Sequence, residues 1–114
     1  MNTRISALLA AAVALAASAT HAANGGDVQK GKEVFQNWCL PCHGDGPTKP
    51  GTSALGAKYK GTRPAKLEDR TDLTPDLTKF FVRTGVNVMP PFRKTEITDT
   101  DLAALGAYLA RPRP

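Results

Sequence analysis

The chain has little from which to build a large core. Of its 114 residues only 6% are aromatic, one Trp, two Tyr and four Phe, while nine prolines and ten glycines interrupt much of the rest. A domain this short and this poor in large side chains usually needs a staple, whether disulfide, metal or cofactor. With only two cysteines, at most one intrachain disulfide can form. Barrel and doubly wound folds need far longer chains. Strand-like alternation of useful length and internal repeats are both missing, so the expected class is all-α. A dominant charge is missing too, with 15 Lys and Arg against 10 Asp and Glu. The basic stretch Lys58, Lys60, Arg63, Lys66 is followed at once by the acidic Glu68, Asp69, Asp72 and Asp76. Both read as solvated faces. No basic strip is interleaved with aromatics, so nucleic acid is not an expected partner.

What is present begins with the layout of an export signal. Arg4 gives a positive start, Ile5 to Ala17 is apolar but for Ser6, and Thr20-His21-Ala22 places small residues at −3 and −1 of a cleavage site. The expected organisation is a signal peptide at 1–22 and one periplasmic domain at 23–114. Cleavage after Ala19 also fits the pattern. An uncleaved anchor is the competing reading, but the apolar run falls short of the ~20 residues a spanning helix needs. No second apolar run follows, so no membrane span is expected in the mature chain.

The mature chain reads as helices and loops. Asp27 can cap a helix over Val28 to about Trp38, with Val28, Gly31, Val34 and Phe35 on one face. Gly31 in a helix interior costs ~1 kcal/mol relative to Ala, which close approach of another helix would explain. Residues 44–61 are rich in Gly, Pro, Thr and Ser and read as loop. Pro64 could open a short turn through Arg70. Thr74-Pro75-Asp76 starts a helix with an apolar stripe at Leu77, Phe80 and Phe81, stopped by Gly85. Residues 85–95 read as extended loop. Its apolar side chains either seal a pocket or form a docking face. A last helix begins at Thr98, with Ile97 and Leu102 able to staple its start and Pro112 ending it.

The chemistry lies at Cys39-Leu40-Pro41-Cys42-His43. Cys-x-x-Cys-His is the c-type haem attachment signature. Two thiols at that spacing on a helix end reach the two vinyl groups of one porphyrin edge, and the adjacent His supplies the proximal ligand to iron. Three other readings compete. A thioredoxin-like redox pair would want a βαβ context. A zinc site would need a fourth ligand, and the mature chain has no further Cys or His. A plain disulfide is open to an exported protein. Met1 and His21 fall in the signal, so Met89 is the one remaining thioether and the expected sixth ligand. Core filler is its other role, with Lys or solvent then in the sixth position. A His/Met pair leaves no open coordination site and raises the reduction potential, which makes an electron carrier and not a catalyst.

These residues carry a resemblance. Gly31-Lys32-Glu33-Val34-Phe35, Cys39 to His43, the Met89-Pro90 loop and a last helix bearing Tyr108 resemble a class I cytochrome c. Pro50 to Leu55, Arg70 to Leu73, Phe81 to Val86 and Met89 to Ile97 are similar to one subgroup. That subgroup is the small cytochrome subunit of flavocytochromes that hydroxylate 4-alkylphenols, such as p-cresol methylhydroxylase and eugenol hydroxylase. The similarity covers residues 27–110. It implies a small all-α class I cytochrome c fold packed around one covalent haem c, with the Gly31/Phe35 face crossing the Leu105/Tyr108 face. It implies no catalytic site in this chain. It also implies a partner subunit with covalent FAD that donates electrons, and a copper protein or another cytochrome that accepts them. A free diffusible periplasmic carrier serving several partners is the alternative.

Overall fold

The computed structural model describes residues 27–113. The expected signal peptide at 1–22 and both cleavage sites lie outside the described residues. Among those described, the fold is all-α, and the only extended pairing is an isolated bridge between Val86 and Met89.

The first helix, α1, covers residues 27–34 and continues through a π-helical turn, Phe35–Cys39, into α2, Leu40–His43. The Leu40 N–H donates to the Phe35 carbonyl, five residues back. The widened turn has a local cause. Pro41 has no N–H and its ring would press on the carbonyl four residues earlier in a regular helix. One wider turn takes up that conflict and shifts the register of Cys39–His43 relative to the buried face of α1.

α3 spans Pro50–Tyr59, within the segment whose composition reads as loop. Pro50 suits a first helical position. The Thr52 hydroxyl donates to the Gly44 carbonyl at 2.7 Å and the Ser53 hydroxyl to the Pro47 carbonyl at 2.6 Å. These bonds fasten α3 to the loop before it. The helix ends in left-handed backbone at Lys60 and Gly61. A single 3₁₀ turn follows at Leu67–Asp69, where a short turn is expected.

α4, Pro75–Thr84, starts as its sequence predicts, with the Thr74 hydroxyl accepting from the Leu77 N–H at 3.1 Å. Its buried side differs from the expected stripe. Thr78 and Val82 are the buried residues, Leu77 and Phe81 are half-buried, and Phe80 stays 57% exposed. The contact with α5 runs along the Thr78/Val82 side, which leaves the edge-on Phe80–Phe81 pair on the flank. α5, Asp99–Ala110, is capped by Thr98, whose hydroxyl accepts from the Asp101 N–H. Ile97 and Leu102 flank the cap and are both buried, as a staple requires.

The core joins Val34 and Phe35 to Leu73, Val82, Ile97, Leu102, Leu105, Tyr108 and Leu109. Here α1 crosses α5. A methyl group at Gly31 would overlap the Ala104 carbonyl and the Tyr108 Cβ, so only glycine lets the two backbones come this close. The Phe35 and Tyr108 rings pack 5.8 Å apart across the crossing.

Candidate haem site

Cys39 and Cys42 are free thiols, the first half-buried and the second exposed. Burial pushes the Cys39 thiol up to about 12, with the neighbouring Cys42 adding to the effect. His43 follows at the end of α2. Burial lowers its pKa, which favours the neutral imidazole, the form that offers a lone pair to a metal. Its Nδ1 is buried and has no hydrogen-bond partner. α3 supplies the wall beside the ring. A Cβ built on Gly51 would stand 2.6 Å from His43 Cε1 and 2.8 Å from Nδ1. The Thr52 bond to the Gly44 carbonyl holds that wall against the residue after His43.

Met89 is half-buried against the core at the close of a tight turn. Its N–H donates to the Val86 carbonyl at 2.9 Å and its carbonyl accepts from the Val86 N–H at 3.0 Å. Asn87 takes the left-handed conformation the turn needs, at φ 51°. Gly85 also has positive φ, and a Cβ there would come within 2.6 Å of the Met89 carbonyl oxygen and 2.9 Å of Pro91 N. The loop around Met89 is therefore pinned. It also divides its apolar residues between the two expected roles. Phe92 turns in, half-buried against the core, while Val88 stands out at 93% exposure.

The two ends of the site meet through aromatics. Trp38, just before Cys39, packs edge-on against Phe92 at 5.8 Å. Cys39, Leu40, Leu77, Met89 and Phe92 all pack on the same buried core. Among the described residues, no three or more His, Cys, Asp and Glu side chains converge as metal ligands, which does not favour the zinc reading.

One cluster is absent from the sequence expectations. Arg70 lies 7% exposed, although it falls within the acidic stretch that reads as a solvated face. Its Nε and Nη2 donate to the two Asp72 carboxylate oxygens at 2.8 and 2.7 Å, and its Nη1 donates to the Tyr59 hydroxyl at 3.2 Å. These residues, with Arg63, Leu77 and Phe81, line an open cavity of about 520 Å³. Leu77 and Phe81 make part of it apolar and the guanidinium groups make part of it cationic. The only sequence signal was Arg70's place in the similar stretch Arg70 to Leu73. Spacing alone does not distinguish it from its solvated neighbours.

The residues present fit a haem. Two free thiols stand two residues apart, beside an imidazole with one buried unpartnered nitrogen and a glycine-walled ring. A half-buried thioether lies on the segment that packs against the same helix end.

The comparisons agree with this chemistry. Residues 26–109 match the family model described as Cytochrome C oxidase, cbb3-type, subunit III. A cytochrome c6 from Thermosynechococcus vestitus (strain NIES-2133 / IAM M-273 / BP-1) is 30% identical over 109 residues, covering 96% of this chain and 91% of the relative. No solved structure matches the chain. Among the described residues no helix is long and apolar enough to cross a membrane. With the family match spanning the described fold up to the end of its last helix, the chain belongs to this cytochrome c family, and it is a small class I c-type cytochrome, an electron-transfer protein of haem c.

Proposed function

We propose that this chain carries one haem c, bound covalently through Cys39 and Cys42, with His43 and Met89 as the axial ligands. In this reading it is the periplasmic cytochrome subunit of a flavocytochrome, taking single electrons from the FAD of a partner subunit and passing them to a copper protein or another cytochrome. The haem, when bound, supplies the one-electron couple. The chain's own residues do the rest. The thiols would tether it, the neutral His43 imidazole would offer a lone pair to iron, and Met89, as a soft ligand, would favour the reduced state. If His43 and Met89 both held the iron, substrate would have no coordination site, which supports a carrier and not a catalyst.

One observation carries the axial reading. The Cys39–His43 helix end and the Met89 segment are held together by the Trp38–Phe92 contact and by packing on one core. The flavocytochrome assignment rests on the similarity of Pro50–Leu55, Arg70–Leu73, Phe81–Val86 and Met89–Ile97 to that subgroup.

Three measurements test this. Acid–acetone treatment should leave the haem on the protein, and haem extracted into the organic phase would overturn covalent attachment. Met89→Ala should abolish the far-red charge-transfer band of the ferric protein and lower the potential. An unchanged spectrum would return Met89 to core filler. Co-expression with a neighbouring flavoprotein should yield a complex that survives gel filtration. Separate elution, with electron exchange to several acceptors, would favour the diffusible carrier.

A further inference from the structure

Arg83 lies in the last turn of α4 and reaches out of it. Its Nη1 donates to the Phe92 carbonyl at 3.0 Å, and its Nη2 donates to the Ile97 carbonyl at 2.8 Å and to Asp99 Oδ1 at 2.9 Å. The side chain is only 19% exposed. Its acceptors sit at both ends of the segment 92–97 and at the first residue of α5. Among the described hydrogen bonds, no other side chain from outside residues 90–97 reaches the backbone of that segment.

The need for such an anchor follows from the sequence. Pro90 and Pro91 come directly after Met89 and have no N–H to give. From Pro90 to Phe92 the chain can be held to its surroundings only by carbonyls, by packing and by the Phe92 N–H, which donates to the Val82 carbonyl at 2.8 Å. Arg83 takes the Phe92 carbonyl on the residue next to Val82, so Phe92 is clamped on both sides of its own peptide units. Phe92 in turn carries the ring that meets Trp38. The clamp needs a planar fork that serves separate acceptors in fixed directions, which Arg has and Lys lacks. The other charges facing this region are paired. Lys94 bonds Asp99 Oδ2 at 2.7 Å, and Arg93 bonds Glu96 at 3.4 Å.

We propose that Arg83 is the positioning residue of the Met89 ligand: by fixing the segment after Met89 to α4 and α5, it sets how firmly the thioether is held. The inference rests on the reading of Met89 as an axial ligand. Arg83 touches neither iron nor thioether and acts only through the loop.

The test uses the haem-loaded, full chain. The readouts are the pH at which the ferric protein loses its Met89-dependent far-red band, the reduction potential, and the thermal midpoint. Arg83→Gln should lose the band at a pH about one unit lower, a roughly tenfold change in the displacement equilibrium, and its potential should fall. Arg83→Lys keeps the charge and the stem but not the fork, and should move both quantities the same way by less. Lys94→Gln removes the other cation bonded to Asp99 but leaves all three Arg83 bonds in place. It should keep the wild-type pH midpoint and potential. A thermal midpoint that drops in Arg83→Gln while band and potential hold would make Arg83 merely structural and overturn the proposal. If Arg83→Gln does not fold, a wild-type pH midpoint in Arg83→Lys overturns it equally. A band that survives Met89→Ala removes the axial reading and this inference with it. A band lost in Met89→Ala yet indifferent to Arg83 removes this inference alone.

Discussion

Glycine at position 31 is the residue on which the helix crossing turns. Its missing side chain was legible in the sequence, since a helical glycine on the Val34/Phe35 face had no local benefit and needed a packing reason. The structure supplies it, because any Cβ there enters the Ala104 carbonyl. Gly31→Ala should therefore destabilise despite its better helix propensity, by about 1–3 kcal/mol as overpacking does. For a domain of this size that lowers the thermal midpoint of the haem-loaded protein by roughly 5–20 °C. Gly56 makes the contrast. A Cβ there meets only Ala65 Cβ, at 3.7 Å, an ordinary contact. Gly56→Ala should leave the midpoint unchanged or raise it by a few degrees, since alanine gains up to ~1 kcal/mol in a helix interior. Equal losses in the two variants would mean that α1 and α5 do not cross as described. Gly51 was not legible in this way. Its sequence neighbourhood, Lys49-Pro50-Gly51-Thr52, reads as turn chemistry, and nothing local reveals that the missing side chain faces an imidazole eight residues earlier.

At the scale of elements, legibility followed the source of each helix's stability. α4 and α5 announce themselves through caps, and both caps form as their sequences predict. α5 also buries Leu102, Ala104, Leu105, Gly106, Tyr108 and Leu109, a stripe visible in the spacing. α3 buries none of its residues, so no apolar period marks it. It is held instead by hydroxyl bonds to loop carbonyls six and eight residues away, which a periodicity reading does not register. The α4 stripe was misplaced for a related reason. Phe80 is large and apolar, but the side of α4 that meets α5 carries Thr78 and Val82. The caps give the element-scale prediction. Thr98→Ala removes the acceptor for the Asp101 N–H and should cost ~1 kcal/mol. Denaturant unfolding should show a lower midpoint with the same slope. Thr98→Ser or Thr98→Asp should recover most of the loss, because either side chain restores the acceptor. No recovery would assign the effect to packing of the threonine methyl against Ile97 or Leu102.

Across the whole molecule, α4 packs along α5 while α3 packs on α2. Beyond the shared apolar core and the Phe35–Tyr108 ring pair, four specific contacts join these parts among the described residues. They are the Gly31 crossing, the Trp38–Phe92 edge, the Tyr108 hydroxyl donating to Glu68, and the cluster of Tyr59, Arg63, Arg70 and Asp72. The last of these links the end of α3 to the approach to α4 through charge, so it makes the joint sensitive to acid. The bidentate bond from Arg70, more than the added attraction of Arg63, holds the Asp72 carboxyl below its ordinary value of 3.8. A carboxyl depressed in the fold stabilises it fully above its unfolded value, and that stability is lost as pH falls through the lower folded value. The carboxylate is 43% exposed, so solvent screens the pair and the effect is modest. Asp72→Asn removes the contribution at neutral pH and has nothing left to lose in acid. The difference in unfolding free energy between wild-type and Asp72→Asn holoprotein should be constant from pH 7 to about 5. It should then shrink steadily below pH 4. Glu96 and Asp99 are depressed as well, by Arg93 and by Lys94 with Arg83. Both remain in the variant, so their acid response cancels in the difference. A difference that stays constant down to pH 3 would show that Arg70 is held by Tyr59 and burial alone, and that the charge pair does not join the two parts.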